Sequence, residues 1–233
     1  MLSGVLWNLL LMLLCYGYVI LVVLISGKLP SALQISQKNS RRFLHLMIGN
    51  LPFVIPFFTS NICPVLVAAP FILVTFLASP YSPFKSERFE RLASITEEGH
   101  PLGLVYYATS YTLLAFFFAS EPYIVAAGIL PMAYGDSAAS FLGERYGKRM
   151  YNLLARKSLE GSAAMFVGSI LSLTVGLAFF SMFYPLHISA LILATVATAS
   201  VTTLAESLSP RGLDNLTVPI LGALTFLLVL GKI

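Results

Sequence analysis

Eight apolar runs, most of them near the length of a membrane crossing, limit what this chain can fold into. A bilayer's hydrocarbon core is about 30 Å thick, and about 20 helical residues cross it. Backbone amides must find partners inside the segment there, so each run is predicted to be a helix. The runs cover residues 5–27, 44–59, 62–78, 102–119, 122–142, 162–184, 186–208 and 216–230. The second is short and carries Gly49, Asn50, Pro52 and Pro56, which predict a broken or tilted segment. The first has no basic residues before it and no small-residue cleavage site, so it reads as a retained span. Only 10% of the residues are charged, against about 25% in soluble domains. The expected fold is an all-α integral membrane protein, a bundle of about eight transmembrane helices forming one domain over residues 1–233.

The charges fall between the runs in a regular way. Lys28, Lys38, Arg41 and Arg42 follow the first run, and Lys85, Arg88 and Arg91 follow the third. Arg145, Lys148, Arg149, Arg156 and Lys157 follow the fifth, and Arg211 follows the seventh. Eight crossings put all of these on one side and leave Lys232 on the other. The positive-inside rule then places both termini outside and the basic loops in the cytoplasm. Glu97, Glu98, Asp136, Glu144, Glu160, Glu206 and Asp214 share that side, while Glu121 does not. A transporter carries polar groups at mid-depth, where its cargo must pass. Here the chemistry sits at one face. The net charge of +4 matches loops held against an anionic leaflet, and nucleic acid is not an expected partner. Cys15 and Cys63 allow no disulfide framework and read as small apolar fillers.

Five polar clusters stand out. In GDSAASFLGERYGKR, residues 135–149, Gly135, Ala139, Gly143 and Gly147 recur every fourth position. That stripe suits close helix packing. It also joins Asp136 to Lys148 and Arg149, and an acid for Mg²⁺, a bare backbone and bases for phosphate are what a nucleoside triphosphate needs. The spacing is not that of a Walker loop: three residues separate Gly143 from Gly147, and Arg149 follows the lysine. In RKSLEGS, residues 156–162, Arg156 and Lys157 precede a helix that Ser158 can cap, and Glu160 is a first-turn anion or a metal ligand. Glu206 and Asp214 bracket a Pro-Arg-Gly turn, with Asn215 suited to metal or ribose contact. Arg41 and Arg42 stand close to His45 on one predicted helix. Glu98 lies in SITEEGHPLG, residues 94–103, where a carboxylate can bind metal or take a hydroxyl proton. Acids, bases and glycines on one face, with no Ser-His-Asp order and no zinc pattern, suit phosphoryl or nucleotidyl transfer. The membrane spans imply a lipid co-substrate.

The ordered set Arg41-Arg42-Phe-Leu-His45, Glu98-Gly99, Gly135-Asp136-Ser-Ala-Ala139, Arg156-Lys157-Ser-Leu-Glu160-Gly161-Ser162 and Ser209-Pro210-Arg-Gly212-Leu-Asp214-Asn215 resembles the polyprenol kinase family. That family includes dolichol, phytol and farnesol kinases and the fungal CTP-dependent diacylglycerol kinase. The likeness covers residues 41–219, and Arg42 stands where the family often has lysine. It implies transfer of the γ-phosphate of CTP to a lipid alcohol with Mg²⁺. Asp136 is then expected to hold the metal, helped by Asp214, Glu160 or Glu206. Lys148, Lys157, Arg41, Arg42 and Arg156 would neutralise phosphates, with Ser158 and Asn215 beside the nucleotide. Gly135, Gly143 and Gly147 would allow its close approach, and Glu98 or His45 would orient or deprotonate the hydroxyl. A diacylglycerol kinase, a CDP-lipid synthase, or a transporter or scaffold without chemistry are the alternatives.

Overall fold

A computed structural model describes residues 3–83, 102–210 and 212–231. Helix α1 (Gly4–Leu33) is the longest element, capped by Ser3 and ended by Gln34 in a left-handed conformation. Helix α2 (Gln37–Ile48) turns back along it, capped by Ser36. A 3-10 turn (Leu51–Phe57) continues in the same direction. Then come α3 (Ile62–Leu77), α4 (Gly103–Phe118) and α5 (Pro122–Leu130). A π-turn (Pro131–Gly135) leads into α6 (Asp136–Tyr146). A two-stranded antiparallel hairpin, β1 (Met150–Asn152) and β2 (Arg156–Ser158), follows, with Tyr151 opposite Lys157. The chain ends in α7 (Leu159–Phe180), α8 (Ile188–Leu208) and α9 (Asp214–Val229).

Among the described residues, four helical stretches are long and apolar enough to cross a membrane: Gly4–Leu33, Pro122–Tyr146, Leu159–Phe180 and Ala190–Leu208. Three more, α3, α4 and α9, are apolar but shorter, at 16 residues each. The expected second span is a correction. Residues 44–59 are not one helix but the end of α2, a break at Gly49-Asn50 and the 3-10 turn. Pro52 and Pro56 lack the amide protons that α-helical bonds need. The Asn50 side chain instead donates to the carbonyls of Leu46 and Met47. The broken segment still runs the length of α1. Ser40 donates to Ser26 O, Tyr18 to Met47 O at 2.6 Å, and Trp7 to Phe57 O at 2.9 Å. From Trp7 to Ser26 is roughly 28 Å of helix, close to the bilayer core.

The centre of the bundle is α5, whose nine residues are all buried. Its crossing with α9 brings backbone against backbone. A Cβ on Gly128 would lie 2.4 Å from Pro219 O and 2.7 Å from Leu114 Cδ1, while Gly222 faces Ala127 O at 3.0 Å. Small residues at such a crossing are how membrane helices approach closely. Gly128→Ala is expected to cost about 1–3 kcal/mol through overpacking, seen as a lower melting temperature in detergent. Gly17→Ala, on an open face of α1 with nothing within 4 Å, should leave that temperature unchanged.

The two ends of the bundle differ. At one end aromatic rings meet: Phe57 with Phe183 at 5.5 Å, and Tyr123 with Tyr184 at 5.4 Å. At the other end, α2, α6, the hairpin and the facing ends of α7, α8 and α9 surround a polar cavity. Cys15 and Cys63 are buried and unpaired, as apolar fillers are.

Candidate active site

The cavity is about 530 Å³, within the range of small-molecule sites. Asp136 enters it because of a local irregularity. Pro131 cannot donate the amide bond that would continue the helix. The chain widens into the π-turn, closed by Asp136 N donating to Pro131 O. A π-turn shifts every later side chain around the axis relative to a regular helix, and such turns recur at functional sites. Asp136, Ser140 and Glu144, four residues apart along α6, then all line the cavity.

Opposite α6 stands the polar face of α2. The Arg42 guanidinium donates to Ser140 Oγ through Nη2 at 2.7 Å and through Nε at 3.1 Å, and to Asn39 Oδ1 at 2.6 Å. It also pairs with Glu144, as does Lys38. Arg41 lies against the start of α4, where a Cβ on Gly103 would come within 2.8 Å of its Nη2 and 3.1 Å of Asn215 Nδ2. Arg41, α4 and α9 therefore converge on one corner.

The third wall is the hairpin. It leans on α7 and α8 through the Tyr151 hydroxyl, which meets Ser162 Oγ at 2.6 Å and donates to Ser207 Oγ at 2.8 Å. Lys157 forms an ion pair with Glu206, which is 3% exposed. Burial alone would lower the lysine's pKa. The adjacent carboxylate outweighs burial, with Asp136 and Asp214 adding to it, and Lys157 is held above the ordinary lysine value. It stays protonated at neutral pH, the only charge state that compensates so buried a carboxylate.

His45 lines the same cavity and is 4% exposed. Its ring sits edge-on to Tyr107, with centroids 5.1 Å apart. α2 turns this histidine inward, toward the cavity.

The structure thus gathers Arg41, Arg42, His45, Asp136, Gly143, Gly147, Arg156, Lys157, Ser158, Glu206, Asp214 and Asn215 around one space. Three expected residues lie elsewhere. The Glu160 carboxylate accepts the backbone amides of Lys148 and Arg149 at 3.1–3.3 Å, clamping the chain between α6 and the hairpin. Those amides and the α7 N-terminus give it positive partners without a metal. Lys148 is not among the cavity's lining residues. Gly135 is packed against α7, where a Cβ would meet Ser169 Oγ at 2.5 Å and Met165 Sδ at 2.8 Å. The glycine stripe mainly serves helix packing, since Gly143 also meets Gly161 at 3.3 Å. Ser158 caps α7, accepting from Gly161 N at 3.1 Å. Glu98 lies outside the described residues. Sequence reasoning missed Lys38, Ser140 and Glu144 as lining residues; the fourfold spacing from Asp136 was the available signal.

Whether these residues suit a divalent cation turns on their number. Among the described residues no group of three or more Asp, Glu, His or Cys is arranged to enclose a metal. Mg²⁺ rarely needs such a cage: it takes one or two carboxylates and completes its shell with water and substrate phosphate. Asp136 and Asp214 line the cavity together, while Glu206 is engaged by Lys157. The donor set fits Mg²⁺ carried in with a phosphate ligand.

No family model and no solved structure matches the chain. Three curated relatives resemble it over most of its length. It is 33% identical over 213 residues to a phytol kinase of Synechocystis sp., covering 87% of this chain and 84% of that one. It is 32% identical to a probable chloroplastic phytol kinase 1 of Glycine max, covering 80% and 65%. It is 30% identical to a probable chloroplastic phytol kinase 2 of Oryza sativa subsp. japonica, covering 82% and 67%.

Proposed function

This chain belongs to the phytol kinase family, and on that premise we propose that it phosphorylates the hydroxyl of an isoprenoid alcohol, taking the γ-phosphate of CTP in the presence of Mg²⁺. The observation that carries the site is the polar cavity: four carboxylates and a ring of cations at one end of an apolar bundle. Phosphoryl transfer asks little covalent chemistry of a protein; it asks for alignment and for neutralised charge.

Bound Mg²⁺, held by Asp136 and Asp214, would offset charge on the phosphate oxygens. Arg41, Arg156 and Lys157 border the same space and present cations to the phosphates. Arg42 braces α2 on α6 through Ser140 and Glu144, so it sets the width of the cavity as well as its charge. The alcohol oxygen attacks the γ-phosphorus, its proton passes to a phosphate oxygen, the bond to the bridging oxygen breaks and the nucleoside diphosphate leaves. His45, which lines the cavity, would orient the hydroxyl.

CTP as donor and the cation requirement are tested together. Each nucleoside triphosphate is supplied to the purified protein with phytol, with and without Mg²⁺, and prenyl phosphate is measured. CTP should support the highest rate, and chelation should stop it. Equal rates with all nucleotides would remove CTP specificity, and turnover in the chelator would remove the metal.

We also place the cavity in the cytoplasm, with both termini on the other side. The alternation of the apolar segments and the basic residues around the cavity support this. A cysteine in place of Leu153, exposed in the hairpin turn, should react with a membrane-impermeant maleimide only after the cell is opened. Labelling of intact cells would reverse the orientation.

A further inference from the structure

Beside the polar cavity runs a second one, about 220 Å³, whose walls are almost wholly apolar. It lies between α1, α2, α3 and α4, with Val23, Leu44, Ala68, Leu104 and Ala108 among its walls. Thr75 also borders it, but its hydroxyl is satisfied by Phe71 O at 2.6 Å. On its outer side Ile20 and Leu24 of α1 are 56% and 57% exposed, so the groove opens sideways toward lipid. His45 lines this groove and the polar cavity alike. Its Nε2 is buried and, among the described residues, has no hydrogen-bond partner. An orphaned buried polar atom is costly, and a ligand that satisfies it gains in affinity.

We propose that this groove seats the hydrocarbon chain of the alcohol, with the hydroxyl at His45 Nε2 where the two cavities adjoin. The inference rests on the kinase reading. The alternative occupant, a bilayer acyl chain, brings no hydroxyl for the orphaned nitrogen. From Leu104 to Tyr111 the groove follows roughly 10 Å of α4. It therefore holds the part of the chain nearest the hydroxyl, and the remainder of a long prenol lies in the bilayer. Specificity then reads the first isoprene units and not total length.

Three alcohols of rising length, prenol, geraniol and phytol, test this on the full protein in detergent. kcat/KM should rise steeply from prenol to geraniol and little from geraniol to phytol. Ala108→Phe, which fills the groove, should lower kcat/KM for geraniol and phytol about tenfold or more while leaving nucleotide binding intact. Because that variant can fail to fold, a phytol analogue with a diazirine near its hydroxyl is crosslinked to the native protein. Label on α1 and α4, competed by phytol, supports the proposal. Label on α7 to α9, or label competed by phospholipid and not by phytol, overturns it, as does an unchanged Ala108→Phe. If the native protein turns over no alcohol at all, the kinase reading itself fails. Turnover that ignores the groove removes the seat alone.

Discussion

Asp136→Asn reduces phosphoryl transfer by about a hundred- to a thousandfold or more, with the protein still folded. The asparagine keeps the size and one oxygen of the side chain but not its charge. Asp136 sits at the end of a π-turn inside an apolar helix, where a carboxylate is costly unless something positive answers it. The close approach of this segment to α7 is made by other residues: Gly135 lies against Met165 O, and Ala139 O and Gly143 lie against Gly161. The readout is kcat on phytol with saturating CTP, set beside the melting temperature in detergent. A large drop in rate with an unchanged melt assigns the carboxylate to the chemistry. Near-native turnover would remove Asp136 from the site.

The second large effect concerns Lys157 and Glu206. Lys157→Met leaves Glu206, 3% exposed, as a buried charge without its ammonium. Breaking one side of such a pair costs about 3–5 kcal/mol, enough to unfold many proteins. The expected result is poor yield or a melt far below the parent's. Lys157→Met combined with Glu206→Gln removes both charges, and most of the stability should return because no ion is left stranded. Activity should not return, since a cation that interacts electrostatically with both Asp136 and Asp214 is gone. A double variant that is both stable and fully active would make the pair a structural fastening and nothing more.

Much of the fold was legible because hydrocarbon thickness fixes segment length. The runs at 62–78 and 102–119 fall almost directly on α3 and α4. The one-sided charges predicted a single polar face, and the cavity lies at one end of the bundle. What escaped had causes that act across the chain or against local pattern. The hairpin at Met150–Ser158 has no Asn-Gly or Gly turn signal and only three residues per strand; it exists because Tyr151 and Lys157 find partners on α7 and α8. Glu160 read as a first-turn anion or a metal ligand; it stands in the first turn of α7, but its reach back to two backbone amides eleven and twelve residues earlier needed the structure. The fourfold glycine stripe told which residues share a face but not what that face meets, and it meets α7. The turn at Pro131 had a visible cause, a proline inside a span, but its effect on the direction of Asp136 needed the structure.

The central claim, phosphorylation of an isoprenoid alcohol by CTP, meets its most direct test in the fate of two labels. Purified protein is given phytol, Mg²⁺ and CTP labelled either at the α- or at the γ-phosphate, and the lipid and water phases are counted separately. A phytol kinase places the γ-label in the lipid as a monophosphate and leaves the α-label in water as CDP. The α-label in the lipid, with the γ-label released as pyrophosphate, would contradict it and make the protein a cytidylyltransferase.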